Sequence, residues 1–285
     1  MAKGNLLLGT AKNSVGDVVM YRREGAQITR VRVRNVKNPK TDAQSFQRAI
    51  MAPIAKFYSP LSVVLERSFE GLSKAKSHNK FNQVNANLAR KNKWALPKGT
   101  GFFPLPYQLS QGTLQAIVST ISANNALRTN ISAPTGPEPF NIGAWSANLV
   151  AAGYKNGDVV TIILIAADAA ENPKSFYPVT AQFAIDVNSE ETFTNLFTNI
   201  VIASGGGLME VSLPNGIAVA GAVIVSRFDG TMWRRSTQSL VVKEDIITAV
   251  TADAAVAAAI ASYGMTAGDG NPLVYLDGDE LADGE

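Results

Sequence analysis

The sequence predicts an α+β protein: an N-terminal β-hairpin with helices, then an antiparallel β-sandwich-like domain and a C-terminal helix. Three observations predict this fold. Two β-branched runs near the N-terminus flank a glycine, apolar residues at helical spacing follow them, and short β-branched runs bounded by turn residues occupy the second half. Hydrophobic residues make up 46% of the 285 residues and charged residues 17%, which is typical of a folded globular protein.

The predicted hairpin comprises residues 15–21 and 28–33. Gly25 lies between the two runs and can adopt the positive φ that a tight turn requires. Side chains alternate between the two faces of a strand. The second strand therefore places arginines on one face and valines on the other, where we expect Val31 and Val33 to face the core of the module.

The arginine face of this strand is the candidate docking surface. An arginine fork suits a carboxylate-lined partner as well as a phosphate backbone. The surface lacks the aromatic residues of a single-strand stacking platform, apart from Tyr21. Its predicted docking residues are Arg22, Arg23, Arg30, Arg32, Arg34, Lys37 and Lys40.

Helical patterns follow the hairpin. Thr41, with Gln44 three residues later, has the spacing of a capping box and begins a first helix in which Pro53 predicts a kink. Ser59 and Pro60 have the pattern of an N-cap followed by the first helical position, which predicts a second helix ending at Gly71. A third helix is predicted over residues 77–94.

Proline and glycine punctuate the next segment, in which Phe102 and Phe103 are expected to anchor the linker to the folded parts. Beyond it, the predicted strands cover residues 114–121, 159–166, 179–187, 208–213, 218–228 and 232–242. The predicted helices cover residues 141–152, ended by Gly153, and an alanine-rich run capped at residues 251–253 and ended by Gly264. The predicted segments are a basic hairpin-helix docking module (1–95), a linker (96–112), a β-rich sandwich domain (113–245), and a C-terminal helix with an acidic tail (246–285).

The residue content argues against an enzyme, a cofactor and a metal. The chain has no cysteine, and its single histidine, His78, is expected to be exposed and without a specific role. No glycine is followed by lysine, which excludes a phosphate-binding P-loop. The acidic run at residues 277–280 lacks the spacing of a calcium loop. The apolar runs are too short to predict a membrane span or a secretory leader.

Charge is divided along the chain. The first 100 residues contain 19 of the 26 basic residues and only five of the 23 acidic ones. Such polarity favours either contact with a polyanion or contact between the basic part of one copy and the acidic part of another. The sequence leaves both alternatives open.

The N-terminal region resembles a family of uncharacterised proteins from Bacteroidota and crAss-like gut bacteriophages, whose genes lie among virion-structure genes. The resemblance is carried by residues 9–25 (GTAKNSVGDVVMYRREG), residues 31–44 (VRVRNVKNPKTDAQ) and Gln47–Arg48. Residues 107–114 (YQLSQGTL) are similar to the join to the second domain of that family.

This resemblance implies a structural component of a tailed bacteriophage virion, most simply a collar, ring or tail-hub protein of the portal-tail assembly. We expect a homo-oligomeric ring of roughly twelve copies. Its neighbours would be the portal and other ring or tail proteins, in a virion assembled in the cytoplasm of the host bacterium. Two alternatives remain. One is a nucleic-acid-binding protein that uses the basic hairpin on DNA or RNA. The other is a capsid-surface or host-glycan-binding module, which would need tryptophans such as Trp145 or Trp233 exposed in one shallow groove, although both are better explained as packing residues.

Overall fold

The computed structural model describes residues 13–15, 17–23, 26–32, 42–135, 140–168 and 175–263. The chain divides into two compact units, Met1–Lys40 and Thr41–Glu285. The two helices that follow the hairpin therefore belong to the second unit, which we call the body. The predicted turn at Gly25, the cap at Thr41, the stop at Gly264 and the acidic tail lie outside the described residues.

The elements follow one another in this order: β1 (Asn13–Val15), β2 (Val18–Arg23), β3 (Ala26–Val31), α1 (Asp42–Leu61), α2 (Lys74–Lys91), β4 (Gln108–Ser110), β5 (Ser119–Ile121), β6 (Leu127–Ser132), α3 (Ile142–Ala151), β7 (Val159–Ala167), β8 (Phe176–Ala184), α4 (Phe193–Leu196), β9 (Val201–Gly205), β10 (Leu208–Ser212), β11 (Ile217–Phe228), β12 (Trp233–Arg235), β13 (Gln238–Ser239), β14 (Val241–Val242), α5 (Glu244–Thr251) and α6 (Asp253–Ala261). The predicted α+β class is confirmed, with its N-terminal hairpin and its C-terminal helix.

The first unit contains an antiparallel three-stranded sheet in the order β1-β2-β3, which we call the N-terminal sheet. In β2 and β3, Val19 pairs with Arg30 and Tyr21 pairs with Ile28. The predicted hairpin is thus present, and β1 adds a strand that the sequence did not predict.

Helix α1 continues through Pro53 and Pro60, and residues 62–67 form turns. The prediction of a separate helix beginning at residue 59 is wrong. Pro60 lies in the last turn of α1, where the local pattern of a helix start is overridden by tertiary packing of the segment that follows. Leu61 at the end of α1 and Leu65 within these turns are both fully buried. The buried apolar face of α1 comprises Phe46, Ile50, Ile54, Phe57 and Leu61.

Two sheets form the β-rich part of the body. One has the order β12-β11-β7-β8, with β14 also paired to β11, and the other has the order β5-β6-β10-β9. Strand β4, within the predicted linker, pairs with β13. The run predicted as one strand over residues 232–242 is divided among β12, β13 and β14.

The larger sheet is covered on both faces, so the body has three layers. Along β7, Val160, Ile162 and Leu164 pack into one core with the smaller sheet and α3. The alternate residues Ile163 and Ile165 pack into a second core with α1, α2 and α6. The antiparallel sandwich predicted from the sequence is therefore extended by a helical layer.

Gly221 of β11 allows the two sheets to approach closely. A Cβ atom at this position would lie 3.0 Å from side-chain atoms of Leu127 and of Leu164, which is tighter than ordinary contact. The glycine thus lets Leu127 of the smaller sheet pack directly on the larger one. Within the part of the chain that the structure describes, no helix is long and apolar enough to cross a membrane.

Candidate assembly interface

The structure places four of the seven predicted docking residues. Arg22 and Arg23 end β2, Arg30 lies on β3, and Arg32 follows β3. The remaining three, Arg34, Lys37 and Lys40, lie outside the described residues.

Arg30 and Arg32 lie on one face of the N-terminal sheet, and both are exposed. Arg30 pairs with Val19, and the backbone N–H of Arg32 donates to the carbonyl of Asp17 (2.6 Å). Side chains two residues apart in a strand lie on the same face, so both arginines lie on the face of Val19 and Tyr21. The guanidinium of Arg30 lies 5.6 Å from the centroid of the Tyr21 ring, in a cation–π contact. This face therefore presents two cations and an aromatic ring to solvent.

The other face of β3 contradicts the expectation that Val31 packs into a core. Val31 is 73% exposed. Where the structure describes the side chains of the N-terminal sheet, residues 17–21 and 27–32, Met20 is the one buried hydrophobic side chain. Strand alternation correctly separates Arg30 and Arg32 from Val31, but the side chain of Val31 is exposed and is not packed in a core.

The side chains that the structure describes in the N-terminal sheet bury little apolar surface, since Met20 is the one buried hydrophobic residue among them. Small sheets obtain independent stability from a hydrophobic face or from packing against a helix. The described side chains of this sheet therefore contribute little to such a face.

The predicted linker anchors both contact the body. Phe102 stacks on Phe57 of α1, with ring centroids 4.9 Å apart and an angle of 14° between the planes. Phe103 meets Phe176 at the start of β8 edge-on, at 5.0 Å. The two rings therefore attach the segment to the helical layer and to the larger sheet.

His78 was expected to be exposed, but it is half-buried on α2. Its ring lies 4.5 Å from that of Tyr58, and its Nε2 lies 3.2 Å from the side-chain nitrogen of Asn82. Burial raises the pKa of Tyr58, and the charge of Glu66 adds to the effect. The histidine thus has a packing role that its basic, asparagine-rich surroundings in the sequence did not indicate.

A second polar feature lies on the body, where Glu70 joins distant parts of the chain. Glu70 follows α1 and accepts hydrogen bonds from the Thr113 N–H (2.9 Å) and from Nη1 of Arg234 (2.6 Å). Burial alone would raise the pKa of Glu70, but hydrogen bonds from Arg234, Thr113 and the Arg235 N–H lower it below its usual value. Arg234 also pairs with Asp229 (2.8 Å), so one guanidinium connects two carboxylates.

Asp229 organises the turn between β11 and β12. Its side chain accepts from the N–H groups of Met232 (2.8 Å) and Thr231 (3.0 Å). These backbone hydrogen bonds, with the Thr231 hydroxyl and Arg234, lower the pKa of Asp229 far below its ordinary value. The turn thereby fixes the position of Trp233 and of the two arginines after it.

Arg67 and Arg235 form a contrasting pair of like charges. The Arg235 guanidinium lies 5.5 Å from the centroid of the Trp233 ring and donates to the Ser226 hydroxyl. Burial lowers the pKa of Arg235, and the nearby charge of Arg67 lowers it further. Among the described residues, neither side chain has a carboxylate partner, and the Nε of Arg235 is buried without a hydrogen bond.

A pocket of about 340 Å³, which we call the arginine pocket, is lined by Arg67 but not by Arg235, whose guanidinium lies against the Trp233 ring. Its walls include Arg67, Lys74, Phe228, Met232 and Trp233. Phe228 is 55% exposed, so a large part of its ring faces solvent. A neighbouring pocket of about 530 Å³, with Lys80, Thr113 and Arg234, shares Phe69, Gly71, Leu72 and Met232 with it.

The sequence did not predict this second feature. Its residues are spread over three distant segments, with Glu70 and Arg234 separated by 164 positions. The one local signal was the arginine doublet at residues 234–235, inside a run whose β-branched residues predicted only a strand. Within the described residues, no group of three or more histidine, aspartate or glutamate side chains could hold a metal ion.

Comparison with known protein families finds a match over more than half of the chain. A family of unknown function, DUF6266, matches residues 9–194. The chain belongs to this family. The match includes the N-terminal sheet, Arg67 and Glu70, but it ends before Asp229 and Arg235. No curated protein and no solved structure matches the chain.

Proposed function

We propose that this protein is a structural component of a tailed bacteriophage virion, a collar, ring or tail-hub protein of the portal-tail assembly. The observation that carries the proposal is the N-terminal sheet, which exposes Arg30, Val31 and Arg32 and buries one apolar side chain among its described residues. A protein that keeps such a segment needs a partner surface for it. The resemblance of residues 9–48 to virion proteins of crAss-like phages supports a particle as the source of that partner.

The charge distribution supports a ring. A basic surface on one copy that meets an acidic surface on the next copy forms a heterologous contact, and such contacts close into rings when the rotation permits. Residues 101–285 contain 18 acidic and seven basic residues, so the body provides the complementary sign. We propose a ring of roughly twelve copies that also contacts the portal and neighbouring ring or tail proteins.

In this proposal the arginines of the N-terminal segment contact the neighbouring copy, and the body forms the wall of the ring. Arg30 and Arg32, with Arg22, Arg23, Arg34, Lys37 and Lys40 of the same segment, bind carboxylates of the neighbour. Phe102 and Phe103 hold the segment that follows α2 against the body. The protein performs no catalysis, assembles in the host cytoplasm and stays in the virion.

The mass of the full-length protein and of the purified particle tests this proposal. Native mass spectrometry should give a closed oligomer, alone or after addition of the portal protein, and proteomics of purified virions should recover the chain at a fixed copy number. The double variant R30Q/R32Q should assemble less well, whereas K76Q/K91Q, which removes the same charge from exposed positions on α2, should assemble normally. Absence of the protein from purified particles would refute the proposal.

A second candidate is nucleic-acid binding by the same face, favoured by the exposed arginines beside Tyr21. A DNA-binding protein should lose affinity steeply with salt, and R30Q/R32Q should reduce the salt dependence by about two charges. Measurement of DNA binding by the full-length protein at several salt concentrations separates nucleic-acid binding from the assembly role. The glycan-binding alternative loses one of its two named tryptophans, because Trp145 is fully buried against Phe140.

A further inference from the structure

Helix α2 presents one side to solvent along most of its length. From residue 76 onward its exposed positions recur every three or four residues, so they lie on one side of the helix. They are Lys76, Asn79, Gln83, Asn87 and Lys91, which we call the α2 face. The face is about 22 Å long, since a helix rises about 1.5 Å per residue. It contains lysines at its two ends and amides between them, with no acidic and no apolar side chain.

A guanidinium group lies beside the α2 face and is held by neutral groups. Nη1 of Arg90 donates to Oδ1 of Asn87 (3.4 Å), and Nη2 of Arg90 donates to Oε1 of Gln47 (2.9 Å). These amide oxygens orient the guanidinium without neutralising its charge. Arg90 thus adds a positioned cation at the C-terminal end of the face.

The charge of the α2 face has little compensation nearby. Residues 71–137 contain eight lysines and arginines but no aspartate or glutamate. Helix α1 and strand β4 pack on α2, and the one acidic residue within them is Asp42, at the first position of α1. Among the described residues, no carboxylate forms an ion pair with Lys76 or Lys91. The face therefore presents uncompensated positive charge to solvent.

Two carboxylates that precede α2 in the chain are already bonded to other cations. Glu66 pairs with Lys74 in the first turn of α2 (3.0 Å), and Glu70 accepts from Arg234 (2.6 Å). Neither carboxylate is bonded to a member of the α2 face. An anion that approaches the face thus meets donors whose partners are neutral groups or solvent.

The composition of the α2 face favours a nucleic acid over a protein or a membrane. Protein interfaces have an apolar centre that is depleted of lysine, whereas interfaces with DNA are polar and strongly basic. Val84 and Leu88 of α2 pack against the helical core, so they provide no apolar anchor on the exposed side. Lysine, arginine, asparagine and glutamine are the side chains that bind phosphate oxygens and base edges.

The form of the face favours duplex DNA among nucleic acids. It has no aromatic side chain on which the bases of a single strand could stack. The major groove of B-form DNA admits an α-helix, whereas the major groove of an RNA duplex is too narrow for side chains to read. A helix with cations at the ends of its exposed side and amides between them matches a groove with phosphates at its rims and base edges inside.

We propose that the α2 face binds double-stranded DNA. Lys76, Arg90 and Lys91 bind phosphates, and the amides of Asn79 and Gln83 face the major groove. This inference goes beyond the proposed function, because it assigns a ligand to a surface of the body that the ring contact does not use.

Binding of a labelled DNA duplex to the full-length protein tests the proposal. A duplex of about 20 base pairs is longer than the α2 face, since each base pair adds about 3.4 Å. Fluorescence anisotropy at several salt concentrations gives the slope of log affinity against log salt, which counts the phosphates contacted. The native protein should bind the duplex, and its affinity should fall steeply as salt rises.

A lysine pair and its control localise the phosphate contacts. K76Q/K91Q should lower the salt slope by about two and weaken binding at least about tenfold at about 0.1 M salt. K98Q/K155Q removes the same charge from exposed positions outside α2, and it should change the affinity less than about twofold. Equal effects of the two pairs would overturn the assignment to the α2 face.

A glutamine pair tests the centre of the face without loss of the fold. Q83E keeps the length of the side chain and adds one negative charge, and it should weaken DNA binding several-fold. Glutamate and glutamine have similar helix propensities, so the melting temperature should not fall. Q115E, at an exposed position outside α2, is the matched control and should bind like the native protein.

Competing polyanions decide the class of the partner. Duplex RNA of the same length and poly-L-glutamate should both compete for the protein less well than duplex DNA does. Equal or better competition by either one, or no binding of the DNA duplex by the native protein, would overturn the proposal.

This inference and the proposed function fail separately. R30Q/R32Q should weaken assembly and leave DNA affinity nearly unchanged, whereas K76Q/K91Q should weaken DNA binding and leave assembly unchanged. If R30Q/R32Q abolishes DNA binding and K76Q/K91Q does not weaken it, the DNA binds the N-terminal sheet and the inference is refuted. A chain that binds DNA through the α2 face but is absent from virions keeps the inference and refutes the virion role.

Discussion

The N-terminal sheet and the larger sheet of the body are both antiparallel, yet they differ in what covers them. Strand β7 lies between two cores and buries every residue from Val160 to Ala167, whereas β3 and Arg32 are exposed at five of the six positions from 27 to 32. The same residue type shows the contrast: Val223 of β11 is fully buried, and Val31 is 73% exposed.

This difference indicates a division of labour within one chain. The body obtains its stability from side chains buried on both faces of its central sheet, since burial of an aliphatic side chain contributes about 1.5–3 kcal/mol. The N-terminal sheet contributes little to that sum and presents charge instead. Changes in the body should therefore alter folding, and changes in the N-terminal sheet should alter association.

The largest effect is expected in the helical core. Phe57 is fully buried between Phe102 (4.9 Å) and Tyr107 (4.6 Å). The variant F57A should lower the free energy of unfolding by about 3–5 kcal/mol, because it leaves a cavity in a close-packed cluster. Urea denaturation followed by circular dichroism measures this loss. Tyr21 of the N-terminal sheet provides the matched aromatic control. A Y21A variant as destabilised as F57A would contradict the division of labour between the body and the N-terminal sheet.

The second effect is electrostatic and depends on pH. E70Q removes a carboxylate that is 11% exposed and bonded to Arg234, and it should cost about 1–3 kcal/mol at pH 7. Because the folded-state pKa of Glu70 is lowered, its contribution is present above its unfolded pKa near 4.5 and is lost as pH falls through the folded value.

Melting curves recorded between about pH 7 and pH 3 test this sign. The native protein should lose more stability over that range than E70Q does. E66Q is the control, since Glu66 is more exposed at its ion pair with Lys74. An equal acid-induced loss in native protein and E70Q would show that Glu70 does not contribute in this way.

The fold was predictable where periodicity is long and local. The predicted helix over residues 141–152 is α3, where Asn141 caps the helix by accepting from the Ala144 N–H (2.8 Å) and Gly153 ends it with φ of 101°. The β-branched runs of β7, β8, β10 and β11 were predicted within a few residues. These signals depend only on neighbours along the chain.

The remainder required information from distant parts of the chain. Strand β6 has Arg128 and Asn130 at its less buried positions, so it lacks the composition of the other strands, and its pairing with β5 and β10 makes it a strand. The last helix starts where residues 251–253 predicted, with Ala252 as the N-cap of α6, but no side chain caps it. Thr251 instead ends α5, and its hydroxyl donates to the Ile247 carbonyl. The candidate docking face was predicted by alternation, but the arginine pocket depends on loops brought together by the fold.

A smaller effect is expected at His78, where sequence alone predicted none. The variant H78Q should lower the free energy of unfolding by about 0.5–1.5 kcal/mol, because it removes the aromatic contact with Tyr58. Thermal denaturation at pH 8 measures it, with N79A on the exposed side of α2 as the control. Identical melting of H78Q and the native protein would mean that the ring contact contributes nothing.

The smallest effect on folding and the clearest effect on association should coincide in β3. V31A should change the free energy of unfolding by less than about 0.5 kcal/mol, because a side chain that is 73% exposed in the protein loses little contact on truncation. The same variant should assemble less well, since an exposed valine between Arg30 and Arg32 would be covered by the neighbour. R30Q/R32Q should also leave the free energy of unfolding nearly unchanged. It should weaken assembly more than V31A does, because each lost arginine leaves a carboxylate of the neighbouring copy unpaired. Thermal melts and native mass spectra of both variants provide the comparison. If V31A lowers the melting temperature as much as a core valine such as V223A does, the N-terminal sheet has a packed core in solution and its exposed face is not a docking surface.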